Sequence, residues 1–165
     1  MAKVVIKLGD DISTDVIYPG RYMATVLPTE TPQYAFADMT EFNAKLKSKQ
    51  ISPGSIIIGG KNFGCGSSRE QAVSALKGYE LTIIAPGFAR IFLQNGINLG
   101  LRMIVCPEID AAEGDEITIT ETAVANVSSG KTFAIVPLPK ARQAIIDAGG
   151  LIAFTRKRLL ERKAS

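Results

Sequence analysis

The chain has no histidine and no tryptophan, and only two cysteines among its 165 residues. Without histidine it lacks the side chain most often used as a general base near neutral pH, and the commonest metal ligand. A Ser-His-Asp or Cys-His nucleophilic site is therefore impossible within this chain. Cys65 and Cys106 do not make a disulfide framework. Two cysteines alone cannot hold an iron–sulfur cluster or a structural zinc. If metal chemistry takes place here, another chain must bring the metal. No apolar run approaches the ~20 residues that a membrane-spanning helix needs. The N-terminus, Met1-Ala2-Lys3, lacks the pattern of a secretory signal, so the expected location is cytoplasmic.

What is present is ordinary in amount and uneven in placement. Hydrophobic residues make up 46% and charged residues 21%, as in a soluble globular protein. The length points to one domain spanning 1–165 with a real core. A net charge of +3 is too small for a general polyanion binder. Arg156, Lys157, Arg158, Arg162 and Lys163 cluster near the C-terminus, read here as a solvated helix face and not as a nucleic-acid site.

One stretch concentrates unusual residues: Asn62-Phe63-Gly64-Cys65-Gly66-Ser67-Ser68-Arg69-Glu70. The apolar run Ile56-Ile57-Ile58 and a Gly59-Gly60 pair precede it. Gln71 to Leu76 follows with a helical pattern. Strand, glycine loop and helix start together present backbone N–H groups to an anion. Ser67 lies three residues before Glu70, the spacing of a capping box, which predicts an N-cap at Ser67 and a first turn of Ser68, Arg69 and Glu70. Gly64 and Gly66 reach dihedrals closed to other residues. Two hydroxyls and a guanidinium beside a helix N-terminus suit the carboxylate of a small acid. A loop that merely caps a helix would share the spacing; the density of Gly, Ser and Arg speaks for function.

Along the chain, Lys3–Leu8 reads as a strand. Ser13, Thr14 and Asp15 invite side-chain-to-backbone turns, and Pro19-Gly20 turns the chain just before Arg21 and Tyr22. One or two helices are predicted over 32–48, with Phe36, Met39, Phe42 and Leu46 in the core. Residues 55–59 form a strand buried on both faces. A helix follows, closed by Gly78 as a left-handed C-terminal glycine. Leu81–Ala85 is the next strand, parallel to the last. A short helix over 88–94 ends near Asn95-Gly96, and Leu101–Cys106 is a further strand. Beyond the Glu113–Asp115 turn, Glu116–Thr120, Ala123–Val127 and Thr132–Val136 read as antiparallel strands, the last two joined by a hairpin at Ser128–Gly130. Helices over 140–148 and 151–160 complete a mixed parallel/antiparallel α/β sheet with flanking helices.

The run Gly64-Cys65-Gly66-Ser67-Ser68-Arg69-Glu70, preceded by Asn62-Phe63, resembles the signature of the small subunits of isopropylmalate isomerase, the separate swivel domain of the aconitase superfamily. Three further stretches share the resemblance. They are Gly9 to Tyr22 with Asp11-Ile12-Ser13-Thr14-Asp15, Phe88-Ala89-Arg90-Ile91-Phe92 with Asn95-Gly96-Ile97-Asn98, and the Gly114-Asp115 turn. It implies an aconitase-type swivelling β/β/α domain and the dehydration and rehydration of a hydroxy diacid. It also implies a large partner subunit with a four-iron–four-sulfur cluster, in an assembly as large as a heterotetramer. This chain itself would hold no metal or cofactor.

Position by position, the resemblance assigns Ser67 as general base and Ser68 and Arg69 as the substrate-carboxylate grip. Arg21 and Thr25 are added to substrate binding, Tyr22, Met23 and Ala24 form the specificity loop, and Asp15, Gly64, Gly66 and Glu70 support the site. Cys65 is a small residue fitting a tight loop. The family usually has histidine after the Arg-Glu pair; Gln71 stands here and is expected to keep a hydrogen-bonding role without titrating. Met23 and Ala24 argue for an apolar substituent and against the distal carboxylate of homoaconitate. Isopropylmalate fits, and dimethylmalate or citramalate fits nearly as well. A stand-alone dicarboxylate-binding module remains the alternative.

Overall fold

The computed structural model describes residues 1–165. Strands β1 (Ala2–Lys7), β2 (Ile56–Ile58), β3 (Thr82–Ala85) and β4 (Arg102–Val105) run parallel. Strands β5 (Glu116–Ile119), β6 (Ala123–Asn126) and β7 (Lys131–Ala134) form an antiparallel meander. All seven belong to one sheet in the order β4-β3-β2-β1-β5-β6-β7. Strand β1 joins the two halves, parallel to β2 on one side and antiparallel to β5 on the other. Helices α1 (Thr14–Ile17), α2 (Thr40–Lys47), α3 (Glu70–Gly78), α4 (Arg90–Leu99), α5 (Lys140–Asp147) and α6 (Leu151–Ala164) fill the connections and the C-terminus. None is long and apolar enough to cross a membrane.

The three consecutive isoleucines explain the layering. Side chains alternate faces along a strand, so a strand apolar at every position needs cover on both sides. Ile57, Ile83 and Met103 pack into a cluster with Ile17, Phe42, Leu46, Val73, Leu76, Phe92 and Ile97 from the helices. Ile56, Ile58, Ile84 and Ile104 point the other way and pack with Val4, Ile117 and Val124. The antiparallel half curls over that second face. The curl closes where Val136 donates its N–H to the Val105 carbonyl at 2.9 Å, joining β4 to the segment after β7. The layers are therefore helix, parallel strands, antiparallel strands, the β/β/α arrangement expected. Each fully buried isoleucine contributes about 1.5–3 kcal/mol relative to exposure.

Helix boundaries differ from the sequence expectation. Gly78 is the last residue of α3, not a left-handed residue beyond it. A Cβ at Gly78 would lie 2.3 Å from the Pro32 ring, so close approach of a loop selects this glycine. Helix α4 does not stop at Asn95-Gly96 but runs to Leu99. Gly96 is packed against Met103 inside the helix, and the left-handed stop is Gly100 at φ +76°. Helix α6 buries no residue, so its basic side chains are solvated as expected.

Candidate functional site

The loops after β1, β2 and β3 meet at the C-terminal edge of the parallel strands, where open α/β sheets offer ligands a crevice. The loop after β2 is stitched to the loop after β1 by backbone bonds. Gly60 N–H donates to Gly9 at 3.0 Å, Asp11 to Lys61 at 2.8 Å, Gly64 to Ile12 at 2.8 Å and Thr14 to Cys65 at 2.8 Å. On its other side, Phe63 N–H donates to Gly87, and Ala89 N–H donates to Phe63. The Phe63 ring is fully buried, edge-on to Phe88 and Phe92 with centroids 6.0 and 5.5 Å away. One aromatic side chain thus anchors the middle of the loop.

The anchored loop follows a path of positive dihedrals. Asn62 has φ +57°, Gly64 +85° and Gly66 +92°. The Asn62 amide donates to the Asp11 carboxylate at 2.9 Å. A Cβ at Gly64 would fall 2.2 Å from Cγ of Phe92. A Cβ at Gly66 would fall 2.9 Å from the Ser13 hydroxyl. Both glycines are required by dihedral and by space, as their placement in the motif implies.

Ser67 is exposed at the end of this path. Its carbonyl accepts from the Thr14 hydroxyl and from the Arg69 N–H, both at 2.9 Å. The predicted capping box does not form. Helix α3 starts at Glu70, with Arg69 in extended conformation (φ −103°, ψ 103°) at the N-cap position and no side-chain cap. The Ser67 carbonyl would have to accept from Gln71 to extend the helix backward, and Thr14 and Arg69 already occupy it. Residues 66–69 therefore stay outside the helix. The amides of Gly66, Ser67, Ser68, Glu70 and Gln71 find no acceptor within the chain, and N–H groups clustered in this way favour anions. Ser68 and Glu70 are exposed beside Ser67.

Arg69 is oriented by partners far away in sequence. Its Nη1 donates to the Asp15 carboxylate and, at 3.1 Å, to the Tyr18 carbonyl. Asp15 also accepts the Gly20 N–H at 2.9 Å. The Arg69 hydrogen bond, then the Gly20 one, hold the Asp15 carboxyl below its ordinary range. Nη2 and Nε of Arg69 have no partner within the chain, leaving two donors of the fork for a carboxylate. Gly20 lets the guanidinium close in: a Cβ there would sit 3.1 Å from Nη2.

Arg21, the other arginine expected at the site, pairs with Asp38 in this chain. It forms a two-bond pair with Asp38, at 3.2 and 2.5 Å, and lies 4.6 Å from the centre of the Tyr22 ring. The pairing holds Asp38 below the ordinary carboxylate range. Tyr22 stacks on Tyr34 with centroids 4.0 Å apart. The Tyr18 hydroxyl, whose pKa burial pushes up, donates to the Tyr22 carbonyl at 3.0 Å. Thr25 N–H closes the turn onto Tyr22. Met23 and Ala24 are exposed at its tip. Gln71 donates from Nε2 to the Met23 carbonyl at 3.2 Å, tethering this loop to α3. That is the hydrogen-bonding role expected of the residue that stands in place of histidine.

No three His, Cys, Asp or Glu side chains converge anywhere in the chain. Cys65 is half-buried in the glycine loop and Cys106 is buried on the opposite face of the sheet. The donor set does not fit an iron–sulfur cluster. Grooves of about 560 and 740 Å³ lie at the Met1–Lys3 edge and along the β4–β7 seam, away from Ser67. The convergent polar groups around Ser67 and Arg69 sit instead on an open face.

The structure brings Asp15, Gly64, Gly66, Ser67, Ser68, Arg69 and Glu70 together, with Tyr22 to Thr25 tethered through Gln71. The sequence reading did not single out Asp38 or the roles of Thr14 and Tyr18. The signal for Thr14 was its place in the Ser13-Thr14-Asp15 run, which invites side-chain-to-backbone bonds; Asp38 carried none.

Comparison with known proteins gives concordant matches. The model of the aconitase C-terminal domain family matches residues 11–108. The 3-isopropylmalate dehydratase small subunit of Methanosarcina acetivorans is 41% identical over 160 residues, covering 94% of this chain and 96% of that protein. The isopropylmalate/citramalate isomerase small subunit of Methanocaldococcus jannaschii is 41% identical over 162 residues, covering 95% and 94%. A crystal structure of 3-isopropylmalate dehydratase from Methanocaldococcus jannaschii superposes with a TM-score of 0.86 at 36% identity, covering 99% of this chain and 98% of that one.

Proposed function

The chain belongs to the aconitase C-terminal domain family, and from that premise we propose that it is the small subunit of a hydro-lyase interconverting 2- and 3-isopropylmalate. The observation that carries the reading is the half-built site. A polar, anion-favouring surface around Ser67 and Arg69 stands open, on a chain with no histidine and no convergent metal ligands. Relatives that match along nearly their whole length are named small subunits, which calls for a large subunit to complete the site.

In this reading Arg69 binds a substrate carboxylate through Nη2 and Nε, while Asp15 and the Tyr18 carbonyl fix the guanidinium plane. The Ser68 hydroxyl and the free amides of Gly66, Ser67, Ser68, Glu70 and Gln71 add donors. Ser67 takes the proton from the carbon beside that carboxylate. The neighbouring carbon then loses its hydroxyl, giving an unsaturated diacid and water; return of water in the opposite sense gives the isomer. The basic form of serine is the alkoxide: the Ser67 hydroxyl proton is given up first and ends on the leaving hydroxyl as water. The donors around Oγ lower the cost of the alkoxide, and taking the substrate proton returns Ser67 to the neutral hydroxyl. The leaving hydroxyl must also be drawn off. We assign that task to the large subunit, which the family resemblance equips with an iron–sulfur cluster acting as Lewis acid.

The loop Tyr22–Thr25 meets the variable substituent. Met23 and Ala24 are apolar and exposed, so they accept an isopropyl group without enclosing it. The same openness favours methyl-substituted malates as second substrates, and a relative named isopropylmalate/citramalate isomerase agrees with that.

The test is reconstitution with the cognate large subunit, assayed on 2-isopropylmalate, citramalate and 2,3-dimethylmalate. Ser67→Ala is expected to lower kcat by roughly 100-fold or more, within the range for removing a general base. Activity of the isolated small subunit, or full activity of reconstituted Ser67→Ala, would overturn the reading.

A further inference from the structure

Thr14 is among the few polar side chains buried in this molecule, at 2% exposure. It reaches the catalytic loop twice. Its backbone N–H donates to the Cys65 carbonyl at 2.8 Å, and its hydroxyl donates to the Ser67 carbonyl at 2.9 Å. The two carbonyls flank Gly66, whose φ of +92° is open to few residues. One residue therefore grips the backbone on both sides of the joint that aims Ser67. Ser13 closes the third side: its hydroxyl would lie 2.9 Å from a Cβ on Gly66, and it also accepts the Asp15 N–H as the N-cap of α1.

The same short helix carries Asp15, which orients Arg69. Consecutive residues thus set the two working groups independently, Thr14 through the Ser67 backbone and Asp15 through the Arg69 side chain. The Ser67 side chain itself has no hydrogen-bond partner within the chain. Its position rests on the backbone, and the backbone there is held by Thr14.

We propose that Thr14 is a positioning residue for Ser67: its buried hydroxyl fixes the Ser67 peptide so that Oγ faces the carbon to be deprotonated. This deepens the function proposed above and rests on Ser67 being the base. An error of about 1 Å in a reacting group can cost on the order of 100-fold in rate, so one hydrogen bond at this joint has leverage beyond its own strength. Substrate binding depends mainly on Arg69 and should respond little.

The experiment uses the reconstituted two-subunit enzyme with Thr14→Val and Thr14→Ser, beside Ser67→Ala. Valine keeps the shape and removes the hydroxyl; serine keeps the hydroxyl. Thr14→Val is expected to lower kcat at least tenfold with KM changed less than threefold. It should also raise the primary isotope effect for substrate deuterated at the abstracted position, because proton transfer becomes slower. Thr14→Ser is expected to recover kcat to within threefold of the parent enzyme. A general loss of fold would not produce this split, and the isotope effect reads only the molecules that turn over. Equal loss in the serine and valine variants, or wild-type kcat in Thr14→Val while Ser67→Ala is inactive, overturns the role of Thr14 alone. Full activity in Ser67→Ala overturns both this inference and the assignment of the base.

Discussion

Gly64→Ala is a sharp test of how the Asn62–Arg69 loop is held. At φ +85° an L-residue in the left-handed region costs about 1–2 kcal/mol. The added Cβ would lie 2.2, 2.5 and 2.6 Å from Cγ, Cδ2 and Cβ of Phe92. Phe92 cannot swing aside cheaply: it is 2% exposed, edge-on to Phe63 and stacked on Phe88. Overpacking a core of this kind costs about 1–3 kcal/mol. Together the two terms come to roughly 2–5 kcal/mol. At about 2–4 °C per kcal/mol for a protein of this size, the thermal midpoint should fall by roughly 4–20 °C. Urea unfolding of the isolated chain measures the free energy directly. Gly87→Ala is the control, because nothing lies within 4 Å of its Cβ position, and it should stay within about 0.5 kcal/mol of the parent. Adding Phe92→Leu to Gly64→Ala should relieve the crowding but not the dihedral cost, so the double variant should lose less than the sum of the singles. A Gly64→Ala chain as stable as Gly87→Ala would refute the account of the loop as pinned by Phe63 and Phe92.

Asp15→Asn should lower kcat/KM for the diacid by roughly 10–100-fold by loosening the Arg69 guanidinium. Asp15 has a depressed folded-state pKa, so its contribution to stability is full above the unfolded-state value near 4 and is lost as pH falls below it. The stability gap between the parent chain and Asp15→Asn should therefore narrow on acidification below about pH 4; a gap that widens there would contradict the Arg69 pairing. Gln71→Ala removes the tether to Met23 and should cost about 0.5–1.5 kcal/mol of stability. It should also raise KM for isopropylmalate more than it lowers kcat; equal effects on all malates tested would remove Gln71 from substrate selection.

How much of this was legible in the sequence depends on the range of the interaction. The Ile56–Ile58 run announced a strand covered on both faces, because alternation along a strand is a purely local rule. Gly64 and Gly66 announced a loop that needed special dihedrals. The Ser67–Glu70 spacing misled, because a capping box is stabilised by about 1 kcal/mol of local bonding. Contacts from residues more than fifty positions away override it: Thr14 at the Ser67 carbonyl and Asp15 at the Arg69 side chain. The same holds for Gly78 and Gly96, whose neighbours Pro32 and Met103 no local pattern names.

By itself the sequence determined the elements, the two-faced sheet, the family, and the absence of any histidine or metal-ligand set. The elements and the sheet follow from residue type and short-range periodicity; the family follows from the resemblance carried by Gly64–Glu70 and its companion stretches. Only the tertiary structure decided which residues share the site, where α3 starts, that Arg21 is bound to Asp38 while Arg69 keeps two free donors, and that Thr14 holds the Ser67 backbone. Hydrogen bonds are satisfied by whichever groups the folded chain brings within about 3 Å, and the parallel crossovers bring together segments whose distance in sequence says nothing of their distance in space.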